Sequence, residues 1–143
     1  MVDIARGAAI YLDTNALIYM TEGSEAFKRR LEGFFEQAVS AAAQLITSEL
    51  ALTEALVHPI RDNNKKLLEA YNDLFEHFVD ARPVTRRILI RAAELRAATR
   101  KYRTPDAIHI ATAEDVRAQL FVTGDSGIDI VLPMRRYLLV ESD

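Results

Sequence analysis

The sequence predicts an α/β fold in which a parallel sheet is covered on both faces by helices. Three observations lead there. Apolar runs of strand length, at 8–12, 45–47, 120–123 and 137–140, are continuous rather than alternating, as in strands buried on both faces. Longer segments of helical period lie between them, which is the pattern of a parallel sheet with crossover helices. Only five glycines and four prolines occur in 143 residues, and no Gly/Ser/Pro-rich linker divides them. Residues 1–143 are therefore expected to form a single domain, long enough to bury roughly 70% of its unfolded surface.

In chain order, the run at 8–12 is the first strand and stops at Asp13, and residues 16–20 make a short helix. From Ser24 to about Ala43, Phe27, Leu31, Phe34, Phe35, Ala38 and Ala42 recur at steps of three and four, with Lys28, Arg29, Arg30 and Glu36 mostly off that stripe. A second strand follows at 45–47. Ser48 suits the N-cap of a helix running to about His58 and closed by Pro59. A third helix begins near Asp62 on the stripe Leu67, Tyr71, Leu74, Phe75 and Phe78. Residues 82–84 are extended, because the residue before a proline avoids the helical region. Thr85 caps a helix reaching Thr99. Thr104-Pro105-Asp106 combines a capping hydroxyl, an early proline and a first-turn acid, and starts a helix to about Gln119. The strand at 120–123 ends at Gly124-Asp125, and the last strand is placed at 137–140.

Composition narrows the function. Half the residues are hydrophobic and 27% are charged, which is globular and excludes disorder. There is no cysteine, so disulfides, thiolate metal sites and cysteine nucleophiles are excluded. Eighteen Lys+Arg against twenty-one Asp+Glu give a net charge of −3, so nucleic acid would have to be met by a local patch. The longest uncharged stretch, 37–48, is too short and polar to span a bilayer, and the first residues lack the apolar core of a secretion signal. The expected location is the cytoplasm, with no membrane contact.

In open parallel sheets ligands bind beyond the carboxyl ends of the strands. Asp13 and Asp125 sit at that level, Asp106 opens a helix that reaches the same edge, and Glu54 shares a helix face with Leu50 and Val57. Each acid alone has an ordinary explanation as a turn, cap or surface residue. Together they would repel: two carboxylates about 4 Å apart cost about 1 kcal/mol in water and about 4 at an effective dielectric of 20. A cation or raised pKa values would relieve that. An all-oxygen set suits Mg²⁺ or Mn²⁺ rather than zinc, and carboxylate-held divalent ions serve phosphodiester cleavage.

Tyr11-Leu12-Asp13-Thr14-Asn15, Glu54 in the segment 47–54, Asp106 in 103–113, and Asp125 in Phe121-Val122-Thr123-Gly124-Asp125 resemble the four acidic motifs of PIN domains. Their order and spacing over nearly the whole chain are closest to VapC-type toxins of toxin–antitoxin pairs. The resemblance implies a three-layer α/β/α sandwich with a short, mainly parallel sheet. It also implies a Mg²⁺/Mn²⁺-dependent endoribonuclease, a homodimer, and inhibition by a small VapB-type antitoxin bound near the second and fourth helices. Asp13, Glu54, Asp106 and Asp125 would hold the metal and activate water, supported by Asn15 and Thr123. Gly124 departs from the family, which often has a polar residue there, commonly Asn, and the fourth acid is the family's most variable. The alternatives are a PIN nuclease of RNA processing without antitoxin and a non-catalytic PIN-like binding module.

Other candidates are weaker. His109 follows Asp106 by three residues and shares its helical face, yet the four-acid pattern does not require it, and a packed, hydrogen-bonded core histidine is the expected role. No Gly-x-Ser-x-Gly elbow, Walker loop or Gly-x-Gly-x-x-Gly occurs. A phospho-receiver would need a lysine after a late strand, and the last lysine is Lys101. The segment from Arg82 to Arg103 carries Arg82, Arg86, Arg87, Arg91, Arg96, Arg100, Lys101 and Arg103 against Glu94 alone. Arg100, Lys101 and Arg103, just before Asp106, are the candidates for meeting RNA phosphates.

Overall fold

The computed structural model describes residues 3–125, 127–128 and 134–139. Strand β1, Ala9–Leu12, lies at the centre of a five-stranded sheet. Helices α1, Thr14–Glu22, and α2, Glu25–Ser40, lead to β2, Gln44–Ser48. Helix α3, Leu50–Arg61, and α4, Lys65–Asp73, follow; a π-helical turn, Leu74–Phe78, then feeds β3, Asp80–Arg82. Helices α5, Arg86–Ala98, and α6, Thr104–Asp115, precede β4, Leu120–Thr123, and β5, Arg135–Leu138. The sheet order is β3-β2-β1-β4-β5, with every pairing parallel.

The two faces of the sheet bury different helices. In β1, Ile10 and Leu12 point into a core with Leu17, Phe27, Leu31, Phe34 and Tyr71 from α1, α2 and α4. Tyr11, between them, points the other way into a core with Ile88, Leu95, Ile108 and Ala111 from α5 and α6. β4 repeats the alternation, with Leu120 and Val122 on the first face and Phe121 stacked on Tyr11 at 5.3 Å. The fold is the expected three-layer α/β/α sandwich.

Capping accounts for most helix starts. Asp13, Ser24, Asn64 and Thr85 each accept a backbone N–H of the first turn. Several expected boundaries shift. Ser48 ends β2 instead of capping α3, although its Oγ still accepts Leu50 N–H at 3.1 Å. Pro59 does not close α3, which continues to Arg61; so near the end, a proline removes a single helical hydrogen bond. The N-cap of α6 is Arg103, one residue before Thr104, and α6 stops at Asp115, where Arg117 turns through a positive φ of 55°. The last strand sits two residues earlier than expected; Val140 lies outside the described residues. Phe78, expected on an apolar stripe, is 66% exposed because the π-helical turn rotates it away from Leu74.

Tyr71 ties α4 to α1: its ring is fully buried and its hydroxyl bonds to the Glu22 carboxylate, which together with burial pushes the phenol far above its ordinary pKa. Tyr71→Phe keeps the packed ring, and water reaches the carboxylate left behind, so a loss of about 1 kcal/mol is expected. Tyr71→Ala opens a cavity and should cost about 3–5 kcal/mol. Urea unfolding should show both as lower midpoints at unchanged slope.

Candidate active site

A sheet ordered 3-2-1-4-5 has its switch point between β1 and β4, where the chain leaves in opposite directions and a crevice opens beyond the strand ends. Asp13 follows β1 at that point, and its N–H continues the ladder to Val122 O at 2.9 Å. The Asp13 side chain is 7% exposed as a whole residue and doubly held: Oδ1 accepts Thr14 N–H at 2.7 Å, and Oδ2 accepts the Thr123 hydroxyl at 2.8 Å. Burial raises its pKa above the ordinary carboxylate value, and the charge of Glu54 adds to this; His109, Thr123 and Thr14 offset only part of it.

Asn15, on the first turn of α1, uses its Oδ1 to accept Gly124 N–H at 3.0 Å, with the Thr123 hydroxyl at 3.4 Å. Asp125 N–H donates to Thr123 Oγ1 at 3.0 Å, while the Asp125 carboxylate accepts Gly127 N–H at 2.8 Å and so caps its own turn. Gly124 has a steric reason: a Cβ there would stand 2.5 Å from Cε2 of Tyr19, whose ring leans on Phe27 at a centroid distance of 5.0 Å.

Glu54 reaches the site from α3. Its expected apolar stripe is not the buried face, which is made by Ala51, Ala55 and Pro59, while Val57 is 45% exposed. Glu54 instead stands on the flank of α3 that overlooks the crevice. Its Oε1 accepts the Thr14 hydroxyl at 2.7 Å and lies 2.6 Å from His109 Nε2. Burial by itself would raise its pKa, but the hydrogen bonds from His109 and Thr14 and the charges of His109 and Arg103 bring it below the ordinary value.

His109, on α6, is the residue that sequence reasoning undervalued. It is buried, as expected for a core histidine, but its Nε2 faces Glu54, lies 3.0 Å from Thr14 Oγ1 and stands 3.8 Å from Asp13 Oδ1. Its Nδ1 is 2.6 Å from the hydroxyl of fully buried Tyr11. The buried threonines Thr14, which opens α1, and Thr47, within β2, follow or end apolar runs and were a further signal in the sequence.

Asp106 occupies the third position of α6, where its Oδ2 accepts Arg103 N–H at 3.0 Å, with Arg103 Nε at 3.5 Å. The structure thus brings Asp13, Glu54, Asn15 and Thr123 into one hydrogen-bonded set through Thr14, His109 and Gly124. Asp106 makes no hydrogen bond to this set among the described residues; its partner is Arg103, whose charge also acts on Glu54. Among the described residues, no three His, Asp or Glu side chains form a ready-made metal cage. The donor chemistry nonetheless fits a hard divalent cation: a buried carboxylate with a raised pKa beside a second carboxylate is the arrangement that positive charge stabilises.

Much of the basic segment is already engaged. Arg82 pairs with Asp80, Arg87 with Asp115, and Arg91 with Glu114 and Glu94, while Arg96 donates to Tyr102 O and Thr104 Oγ1. Such exposed pairs contribute little to stability but neutralise the face they cover.

The PIN domain family model matches residues 10–131. The chain belongs to the PIN domain family. Solved structures share this PIN fold over most of their length. A toxin–antitoxin complex from Klebsiella pneumoniae has a chain 24% identical at a TM-score of 0.62, covering 88% of this chain and 98% of its own. VapBC2 from Rickettsia felis, bound to a DNA fragment from its promoter, gives 14% identity and a TM-score of 0.65, with 90% and 98% covered. FitAcB from Neisseria gonorrhoeae gives 16% and 0.62, with 82% and 88% covered. No match was found among curated proteins. No helix among the described residues of this PIN domain is long and apolar enough to cross a membrane.

Because its folded pKa is raised, Asp13 binds its proton more tightly in the folded than in the unfolded chain. Its ionised form therefore costs stability above the folded pKa, and the cost fades as pH falls through that value towards the ordinary one. Asp13→Asn should raise the Tm of the metal-free protein by a few degrees at neutral pH, on the scale of ~3 °C per kcal/mol. The gain over wild type should shrink on acidification in thermal melts run as a pH series.

Proposed function

We propose that this protein is a Mg²⁺- or Mn²⁺-dependent endoribonuclease, the VapC-type toxin of a toxin–antitoxin pair. The observation that carries the reading is the junction of Asp13, at the end of β1, and Glu54, on α3, through Thr14 and His109. Membership of the PIN domain family supports nuclease chemistry, and the toxin–antitoxin complexes among the similar structures support the toxin role.

Asp13, Glu54, Asp106 and Asp125 are the residues that would hold the cation, with Asn15 and Thr123 in support. When bound, the ion supplies positive charge for the phosphodiester transition state and makes water a better nucleophile. The chain's own residues do the rest. Thr123 and the Thr14 N–H fix both oxygens of Asp13 before any ligand arrives, so little reorganisation remains. Burial of Asp13 keeps competing water away. Arg103, beside Glu54 and Asp106, stands where a phosphate would approach, and Arg100 and Lys101 extend that positive rim along the chain.

The antitoxin would bind the outer face of α1, α2 and α4. There Met20, Leu31, Phe35, Val39, Leu74 and Phe78 line an open groove of about 550 Å³, with Val39 79% exposed. An amphipathic helix laying its apolar side into that groove is the partner it would suit. We further propose that the protein is a cytoplasmic homodimer.

Cleavage of labelled RNA with Mg²⁺ or Mn²⁺ tests the reading. Chelation by EDTA, Asp13→Asn and Asp106→Asn should each largely abolish cleavage. Activity surviving both chelation and substitution would refute a carboxylate-held metal. In a second assay, alanine at Arg100, Lys101 and Arg103 together should weaken RNA binding and flatten its dependence on salt, since fewer counterions are released. An unchanged salt slope would place the RNA elsewhere.

A further inference from the structure

We propose that His109 is a positioning residue for Glu54: its Nε2–H holds the Glu54 carboxylate against Thr14 and beside Asp13, and it neither ligates the metal nor abstracts a proton. This rests on the reading of Glu54 as a metal-site carboxylate.

The imidazole is fixed at both ends. Nδ1 lies 2.6 Å from the Tyr11 hydroxyl, and Tyr11 is immobilised in turn by stacking on Phe121 and by complete burial. With the ring 2% exposed among Tyr11, Thr14 and α6, it has no open side into which to rotate. Nε2 has two near partners, Glu54 Oε1 at 2.6 Å and Thr14 Oγ1 at 3.0 Å, while Asp13 at 3.8 Å is beyond hydrogen-bond range.

The position of the hydrogen follows from the donors. An ionised carboxylate only accepts, so the short contact between Glu54 and Nε2 requires a hydrogen on the imidazole. This holds whichever way the Tyr11 hydroxyl points. If Tyr11 donates to Nδ1, the ring is the neutral Nε2–H tautomer; if Tyr11 accepts, the ring carries both hydrogens. In either state Nε2 has no lone pair to offer a cation. The Thr14 hydroxyl, which also donates to Glu54 Oε1, leaves that oxygen doubly bonded and its carboxylate plane set. Helix α3 alone would leave Glu54, on its exposed flank, free to swing into solvent. The arrangement is the carboxylate–histidine support seen around metal sites with the roles exchanged: here the carboxylate faces the cation and the histidine stands behind it.

The experiment is a double-mutant cycle on Mn²⁺ affinity, measured by calorimetry, with His109→Leu, Glu54→Gln and the double variant, alongside His109→Gln. The Gln amide can place an N–H where Nε2 stood and serves as the conservative rescue. His109→Leu should weaken Mn²⁺ binding about 10–100-fold, the loss should vanish in the Glu54→Gln background, and His109→Gln should recover most of it. Wild-type affinity in His109→Leu overturns the inference, as does an equal loss in both Glu54 backgrounds, which would make His109 a ligand in its own right. A metal-free arm separates this from the nuclease reading. In NMR spectra of ¹⁵N-histidine-labelled protein, the His109 Nε2–H should appear as a downfield, slowly exchanging resonance that Glu54→Ala abolishes. Its presence in a protein that takes up no Mn²⁺ would refute the metal reading and uphold the hydrogen bond. Its absence in the wild type overturns the inference whatever the metal does.

Discussion

A carboxylate buried where two central strands diverge is an electrostatic liability, and Asp13 is such a group. Everything near it limits that cost without cancelling it. Thr14 and Thr123 occupy its two oxygens, His109 stands within range of its charge, and among the described residues no lysine or arginine is packed against it. A salt bridge would have settled the charge locally. Hydrogen bonds from neutral groups hold the oxygens in place and leave the charge available to an incoming cation.

The geometry depends on strand alternation at one residue. Leu12 and Ile10 belong to the core under α1 and α2, so Tyr11 must face α5 and α6, and its hydroxyl meets His109 beneath the crevice. Asp13, next in line, leaves the sheet as the cap of α1. One tetrapeptide thereby contributes to both cores, anchors the imidazole and supplies the buried acid. A shift of register by one residue would exchange Tyr11 for a leucine and lose all of these together.

The layer architecture, four of the five strands and the Thr85 cap were legible in the sequence, because continuous apolar runs and capping residues act locally. Asp13 and Asp125 could be placed at one edge from the strand ends alone, whereas Asn15 and Thr123 came from the resemblance to the family's motifs. The π-helical turn was not legible: Tyr71, Leu74, Phe75 and Phe78 keep an ordinary helical spacing that gives no sign of the extra residue in that turn. Nor was the flank position of Glu54, since Leu50 and Val57 suggest a buried stripe that the small residues Ala51 and Ala55 in fact provide. His109 was visible as a core residue but not as the neighbour of Glu54, because that contact depends on how α3 and α6 approach one another across the sheet edge. The positive stretch looked more uniform in sequence than in space, where Asp80, Glu114 and Asp115 cover much of it.

The central strand also sets a timetable. Asp13 and Thr123, joined by one hydrogen bond, are 110 residues apart, and β1 keeps an unpaired edge until β4 has been made. On a translating ribosome the first hundred residues can gather α1 to α4 against one side of β1 and β2, yet the notch between β1 and β4 does not exist. Its assembly waits until β4 has been made, since contacts so distant along the chain close late. A partner that recognises the helices on the early face could therefore find its binding surface on a nascent chain before that chain has acquired any competence to cut.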